Sequence, residues 1–134
     1  LEPTTDSGYS IKGEFVKGIK PSTKVSDVKA GFTNADVVIT NADGSTKADS
    51  DLVGTGCKIS VLGADSEYTA VVIGDCDGNA LIDSTDIILI KRHILSIEAL
   101  VDAGFEAVDF DDNGQIDSTD YISMKRIVLG IVKL

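Results

Sequence analysis

The sequence predicts two modules: a small, β-rich α+β domain over residues 9–73, then an all-α unit over 74–134 built from two loop-helix repeats. Three observations carry this reading. The chain has 134 residues and 43% hydrophobic content, which suits one ordinary folded domain or two small ones. Short β-branched runs separated by polar turns dominate the first half. In the second half a 12-residue acidic segment occurs twice, offset by 34 residues.

Residues 1–8, Leu-Glu-Pro-Thr-Thr-Asp-Ser-Gly, read as a linker or cloning scar, and the chain as an excised C-terminal piece of a longer protein. The start has no basic stretch followed by an apolar one, so no signal peptide is expected. Tyr9–Val16 alternates loosely as a strand. Ser22–Phe32 suggests a helix, with Val25, Val28 and Phe32 at helical spacing. Val37–Thr40 is a strand ending in the turn Asn41-Ala42-Asp43-Gly44, and Cys57–Leu62 with Tyr68–Ile73 forms a closing hairpin. The expected fold is ubiquitin-like, with an immunoglobulin-like sandwich as the alternative. Asp49 and Asp51 read as a polar loop rather than a catalytic pair. The last strand runs straight into the first acidic segment, so the two modules are expected to pack together.

The net charge of −10 is unevenly spread. Residues 75–134 carry 12 acids against 5 bases, and eight of those acids occupy matching positions in the two repeated segments. Unpaired carboxylates crowded this closely repel one another and call for a hard cation. Nucleic acid is excluded as a partner, because its phosphates would be repelled. The longest apolar runs, such as Ile87–Ile90, are too short to cross a membrane.

Asp75–Asp86 aligns with Asp109–Asp120, and each segment fits an EF-hand-type loop. That loop takes oxygen ligands at positions 1, 3, 5, 9 and 12 and a backbone carbonyl at 7. The first set is then Asp75, Asp77, Asn79, Asp83, Asp86 and the carbonyl of Leu81. The second is Asp109, Asp111, Asn113, Asp117, Asp120 and the carbonyl of Gln115. Two calcium ions are expected; the oxygen-only donor set does not suit zinc. Ile82 and Ile116 at position 8 would anchor the paired loops. Position 12 is Asp in both loops rather than the usual Glu. Position 6, a sharp turn, is Gly114 in one loop and Ala80 in the other, which makes the first site the weaker expectation.

No helix precedes the first loop, so each repeat is a loop plus an exit helix (75–97 and 109–131). Ile87, Ile90, Ile94 and Ile97 form one apolar stripe, and Tyr121, Met124, Val128 and Ile131 its counterpart; these should pack together. A second face carries Ser84, Thr85, Ile88, Lys91, Arg92 and Leu95, repeated as Ser118, Thr119, Ile122, Lys125, Arg126 and Leu129. Taken alone, those residues also read as helix caps and solvated basic side chains. Residues 97–105 should hold a short connecting helix with Leu100 and Phe105 in the core, and Ile131 and Leu134 a clasp against the strand that leads into the unit.

The twin Asp-x-Asp-x-Asn loops, twin Ile-Asp-Ser-Thr-Asp segments, twin Lys-Arg pairs and 34-residue offset resemble a type I dockerin over residues 74–134. The resemblance implies a calcium-dependent adaptor that plugs its parent protein into a cohesin module of a cellulosome scaffold, outside the cell. It also implies that the Ser-Thr and Lys-Arg pairs of one repeat or the other contact cohesin, with Leu95 and Leu129 at the family's apolar contact positions. Family dockerins usually have Val and Gly where this chain has Cys76 and Ala80. The preceding module would be of the kind called X modules, a spacer or stabiliser.

An extracellular setting permits a disulfide between Cys57 and Cys76; two separate buried thiols are the alternative. The lone histidine, His93, reads as a surface residue, and no nucleophile-base set can be argued, so no enzyme is expected. The competing function is a calcium sensor or buffer. Sensors expose Met-rich grooves, and this chain has one Met.

Overall fold

The computed structural model of the chain describes residues 1–130. A five-stranded mixed sheet is followed by helices. The strands are β1 (Ser10–Lys12), β2 (Phe15–Ile19), β3 (Val37–Thr40), β4 (Lys58–Val61) and β5 (Glu67–Val72), in spatial order β1-β2-β5-β4-β3. Helix α1 (Val25–Ala30) follows β2, and α2 (Ser84–Ile94), α3 (Asp102–Val108) and α4 (Ser118–Val128) complete the described chain. None of these helices is long and apolar enough to cross a membrane.

The single sheet with one helix against it is an α+β arrangement, not a two-sheet sandwich. The strand expected over Tyr9–Val16 is instead half of a hairpin. Gly13 at φ 60° makes a two-residue turn that pairs Lys12 with Phe15. β2 then runs parallel to β5, with the register shifting around Gly18 (φ 94°). The hairpin β4–β5 forms as expected, pairing Lys58 with Thr69. Residues 1–4 are hydrogen-bonded to the turn after α1, through Thr4 N–H to Gly31 O at 2.8 Å and Thr33 N–H to Glu2 O at 2.8 Å.

Period-two alternation on β5 decides how the halves join. Ala70 and Val72 face one way, into a core with Val16, Ile19, Val25, Val28, Phe32, Ile39, Val53 and Ile59. Val71 faces the other way and packs with Ala103 and Ala107 of α3 and with Phe15. The sheet is therefore covered by α1 on one side and α3 on the other. Small alanines let α3 approach closely, and Gly74 N–H donates to Ala107 O at 2.7 Å.

The second core holds Ile90 of α2, Met124 of α4, Val108 and Ile116, with Ile82, Ile87, Leu100, Phe105 and Tyr121 around it. The expected stripes hold in their N-terminal halves, Ile87 with Ile90 and Tyr121 with Met124. Ile94 and Val128 are exposed, and Ile97 lies beyond α2, where Ser96 at φ 60° has already ended the helix. The connecting helix starts five residues later than expected, because 97–101 is bent and irregular: Ile97 N–H turns back to Arg92 O at 2.8 Å and Leu100 N–H donates to His93 Nδ1 at 2.9 Å. His93 also stacks edge-on to Phe105, so it fastens the connection and is not a free surface residue. Ile131 and Leu134, and with them the expected clasp, lie outside the described residues.

Candidate functional site

Both repeated loops end on a helix in the same way. Asp83 and Asp117 are N-caps whose side chains accept from the N–H of Thr85 and Thr119, each at 3.0 Å. Three residues on, Asp86 and Asp120 reach back to the cap N–H groups at 3.0 and 3.1 Å. This reciprocal capping box ties position 12 of each loop to its own position 9. One oxygen of the aspartate at position 12 is therefore taken up by the cap N–H. Its other oxygen binds the start of the loop: Asp86 accepts from Cys76 and Asp77 N–H, and Asp120 from Phe110 N–H.

Position 1 closes each ring. Asp75 is fully buried, and both of its oxygens are occupied. Oδ1 accepts from Gly78 and Asn79 N–H, and Oδ2 from Ala80 N–H at 2.8 Å and Thr55 N–H at 3.0 Å. Asp109 accepts from Gly114 N–H at 3.0 Å through Oδ2, while its buried Oδ1 has no hydrogen-bond partner. Carboxylates thus converge twice: oxygens of Asp75, Asp77 and Asp86 lie within 4.8 Å of one another, and so do those of Asp109, Asp111 and Asp120. Asn79 and Asn113 bend the middle of each loop by accepting from Leu81 and Gln115 N–H, which leaves the carbonyls of those two residues at position 7.

Burial first, and the Asp77 charge after it, pushes the Asp75 carboxyl up to about 6; burial likewise pushes Asp86 up to about 7. Burial also raises Asp109 and Asp120. Carboxylates arranged like this strain against their own charge, and a hard cation relieves it. A third acidic group, Glu106, Asp109 and Asp112, is different. Lys12 and Lys17 fill it, at 2.7–3.2 Å from Glu106 and Asp112. Burial opposes ionisation of Glu106, but Lys17 and Lys12 outweigh it and hold the carboxyl below its usual range.

Residues 73–129 match the family model of the dockerin type I domain. This segment is a type I dockerin. A dockerin is a non-catalytic module that binds calcium and docks onto cohesin modules, typically in proteins outside the cell. No curated protein matches the chain.

All twelve residues singled out for partner contact in this dockerin are solvent-exposed. Ser84, Thr85, Ile88, Lys91, Arg92 and Leu95 share the outer side of α2, and Ser118, Thr119, Ile122, Lys125, Arg126 and Leu129 that of α4. Leu95 and Leu129 are 64% and 68% exposed. Arg92 pairs with Glu98 at 3.4 Å, and Lys125 lies over the Tyr121 ring at 5.5 Å. Between the two helices, Lys91, Ile94, Leu95, Ser118 and Tyr121 line an apolar cavity of about 200 Å³.

Cys57 and Cys76 are separate free thiols. Cys57 belongs to the sheet core, whereas Cys76 Sγ lies 3.6 Å from the Asp86 carbonyl. Burial and the neighbouring carboxylates push the Cys76 thiol up. The contacts that sequence reasoning missed are those from the sheet region to the loops: Thr55 N–H to Asp75, Ser22 N–H to Ala80 O at 3.0 Å, and the lysine clamp on Asp112. Two of these use backbone donors, which leave no trace in side-chain type.

Proposed function

We propose that this chain fastens a larger extracellular protein to a cohesin module of a cellulosome-type scaffold, and that it holds two calcium ions in doing so. The observation that carries this is the pair of convergent carboxylate clusters, each at the start of a helix whose outer face is free. The residues present fit the metal. Every donor is an oxygen, the clusters are partly buried, and Asp109 Oδ1 is a buried anion acceptor with nothing to accept from. Asp75, Asp77, Asn79, the Leu81 carbonyl, Asp83 and Asp86 would hold one ion in an EF-hand-like loop. Asp109, Asp111, Asn113, the Gln115 carbonyl, Asp117 and Asp120 would hold the other. Calcium, when bound, neutralises each cluster and locks the loop onto the helix that follows.

That lock orients the outer faces. Hydroxyls at the first helical turn offer hydrogen bonds, Lys-Arg pairs meet acidic groups of the partner, and Leu95 or Leu129 supplies an apolar anchor. Because the two faces carry the same residue types, a single cohesin could seat on either. The exposed, basic, Met-poor faces support an adaptor over a sensor, whose output would be a hidden apolar groove. The sheet region acts as an X-type stabiliser. The test is capture of the chain by immobilised type I cohesins. Binding is expected with calcium and lost with chelator, and capture that ignores chelator would defeat the reading.

A further inference from the structure

The sheet region is more than a spacer. We infer that the segment Gly54-Thr55, together with Ser22, is a positioning part of the first calcium site, and that it makes this site depend on the N-terminal module while the second does not. The inference rests on the calcium reading of the two loops. Three contacts carry it. Thr55 N–H donates to Asp75 Oδ2 at 3.0 Å, a charge-assisted bond to the carboxylate at position 1. Ser22 N–H donates to the Ala80 carbonyl at 3.0 Å, next to the N–H that Ala80 gives to the same Asp75 oxygen. Gly54 lies so close to the loop that an added Cβ would overlap the Gly78 carbonyl and come 3.2 Å from Ala80 N.

These contacts land on the weakest point of the loop. Ala80 stands at φ 72°, a left-handed turn that costs an L-residue about 1 kcal/mol or more. Its N–H, its carbonyl and its buried methyl are all engaged, two of them directly by the sheet region or by an oxygen that the sheet region holds. Thr55 is itself fixed, since its Oγ1 accepts from Val72 N–H at 2.9 Å at the end of β5. The second loop serves as an internal control. It has glycine at the same turn, and no sheet donor reaches Asp109, whose Oδ1 is unpartnered. Among the described residues, the ion pairs from the sheet region to that loop are those of Lys12 and Lys17 on Asp112, which is not at a ligand position.

The probe is calcium alone, and the variant is Gly54→Ala in the full chain. Gly54 has ordinary backbone geometry, so alanine strains the loop it faces and not its own segment. Calorimetry should show the first site weakened about tenfold, equivalent to about 1.4 kcal/mol, and the second unchanged. Amide spectra check that the sheet is intact in the variant. The unmutated chain gives a second measurement: calcium should slow hydrogen exchange at the Thr55 and Ser22 amides, because coupling is reciprocal. Equal first-site affinity in an intact Gly54→Ala protein, or exchange at both amides indifferent to calcium, would overturn the inference while leaving the calcium sites standing. An unmutated chain that takes up no calcium at the first loop would instead overturn the reading of the site, and this inference with it.

Discussion

At the scale of single residues, Ala80 shows how local strain and tertiary support trade against each other. From sequence, alanine at a glycine turn marks the first loop as the weaker. The structure has the alanine in the left-handed region, with its N–H on Asp75 and its carbonyl accepting from Ser22 N–H. Contacts from the fold thus hold the strained turn in place. Ala80→Gly relieves about 1 kcal/mol of strain but frees the unfolded chain by about 0.4–1 kcal/mol. These nearly cancel. The variant should change global stability by less than about 1 kcal/mol and first-site calcium affinity by less than about threefold. Thermal unfolding and calorimetry read the two quantities. A tenfold gain in affinity would mean that the turn forms only when the ion binds.

At the scale of elements, α2 and α4 are near-copies that differ in their surroundings. Each begins in a capping box and each exposes the same hydroxyl and Lys-Arg pattern. Replacing Ser84 and Thr85 by aspartate and alanine should leave cohesin capture within about fivefold of the parent, because α4 substitutes, and the same holds for Ser118 and Thr119. Changing all four should abolish capture while calcium uptake persists. Complete loss from one pair alone would show that only one face is used. The capping residues Asp83, Asp86, Asp117 and Asp120 must stay untouched, since they hold the loops. These elements were legible in the sequence because side-chain type at fixed spacing specifies a cap, a loop and a helix face. The core centres Ile90 and Met124 were legible for the same reason. The stripe ends were not, because the left-handed turn at Ser96 stops α2 early and His93 draws Leu100 back in an irregular segment. The first hairpin was hidden in two residues, Gly13-Glu14, and the parallel pairing of β2 with β5 depends on residues some fifty positions apart, beyond any local pattern.

At the scale of the whole molecule, the boundary between sheet and helices does not fall where the acidic loops begin. Helix α3 lies between the two loops in sequence, yet its alanines pack on Val71 and Phe15 of the sheet, and Ala107 O accepts from Gly74 N–H. Its Glu106 is gripped by Lys12 and Lys17. That ion cluster is partly exposed, so it contributes little and is screened by salt. The apolar contact is what holds α3. By contrast, α2 and α4 meet the rest of the fold through the small core around Ile90, Met124, Ile116 and Val108 and through the acidic loops. Removing calcium leaves four buried carboxylates, Asp75, Asp86, Asp109 and Asp120, facing their neighbours' charge. On the proposed function, metal binding would supply folding free energy to the loops and their helices, and much less to the sheet and α3. Hydrogen exchange with chelator should therefore divide the chain unevenly. Amides of α2 and α4 lose protection, while β2, β4, β5 and α3 keep theirs. Loss of α3 together with α2 and α4 would show that the dockerin unfolds as one unit, and that the packing of α3 on the sheet is too weak to hold it alone.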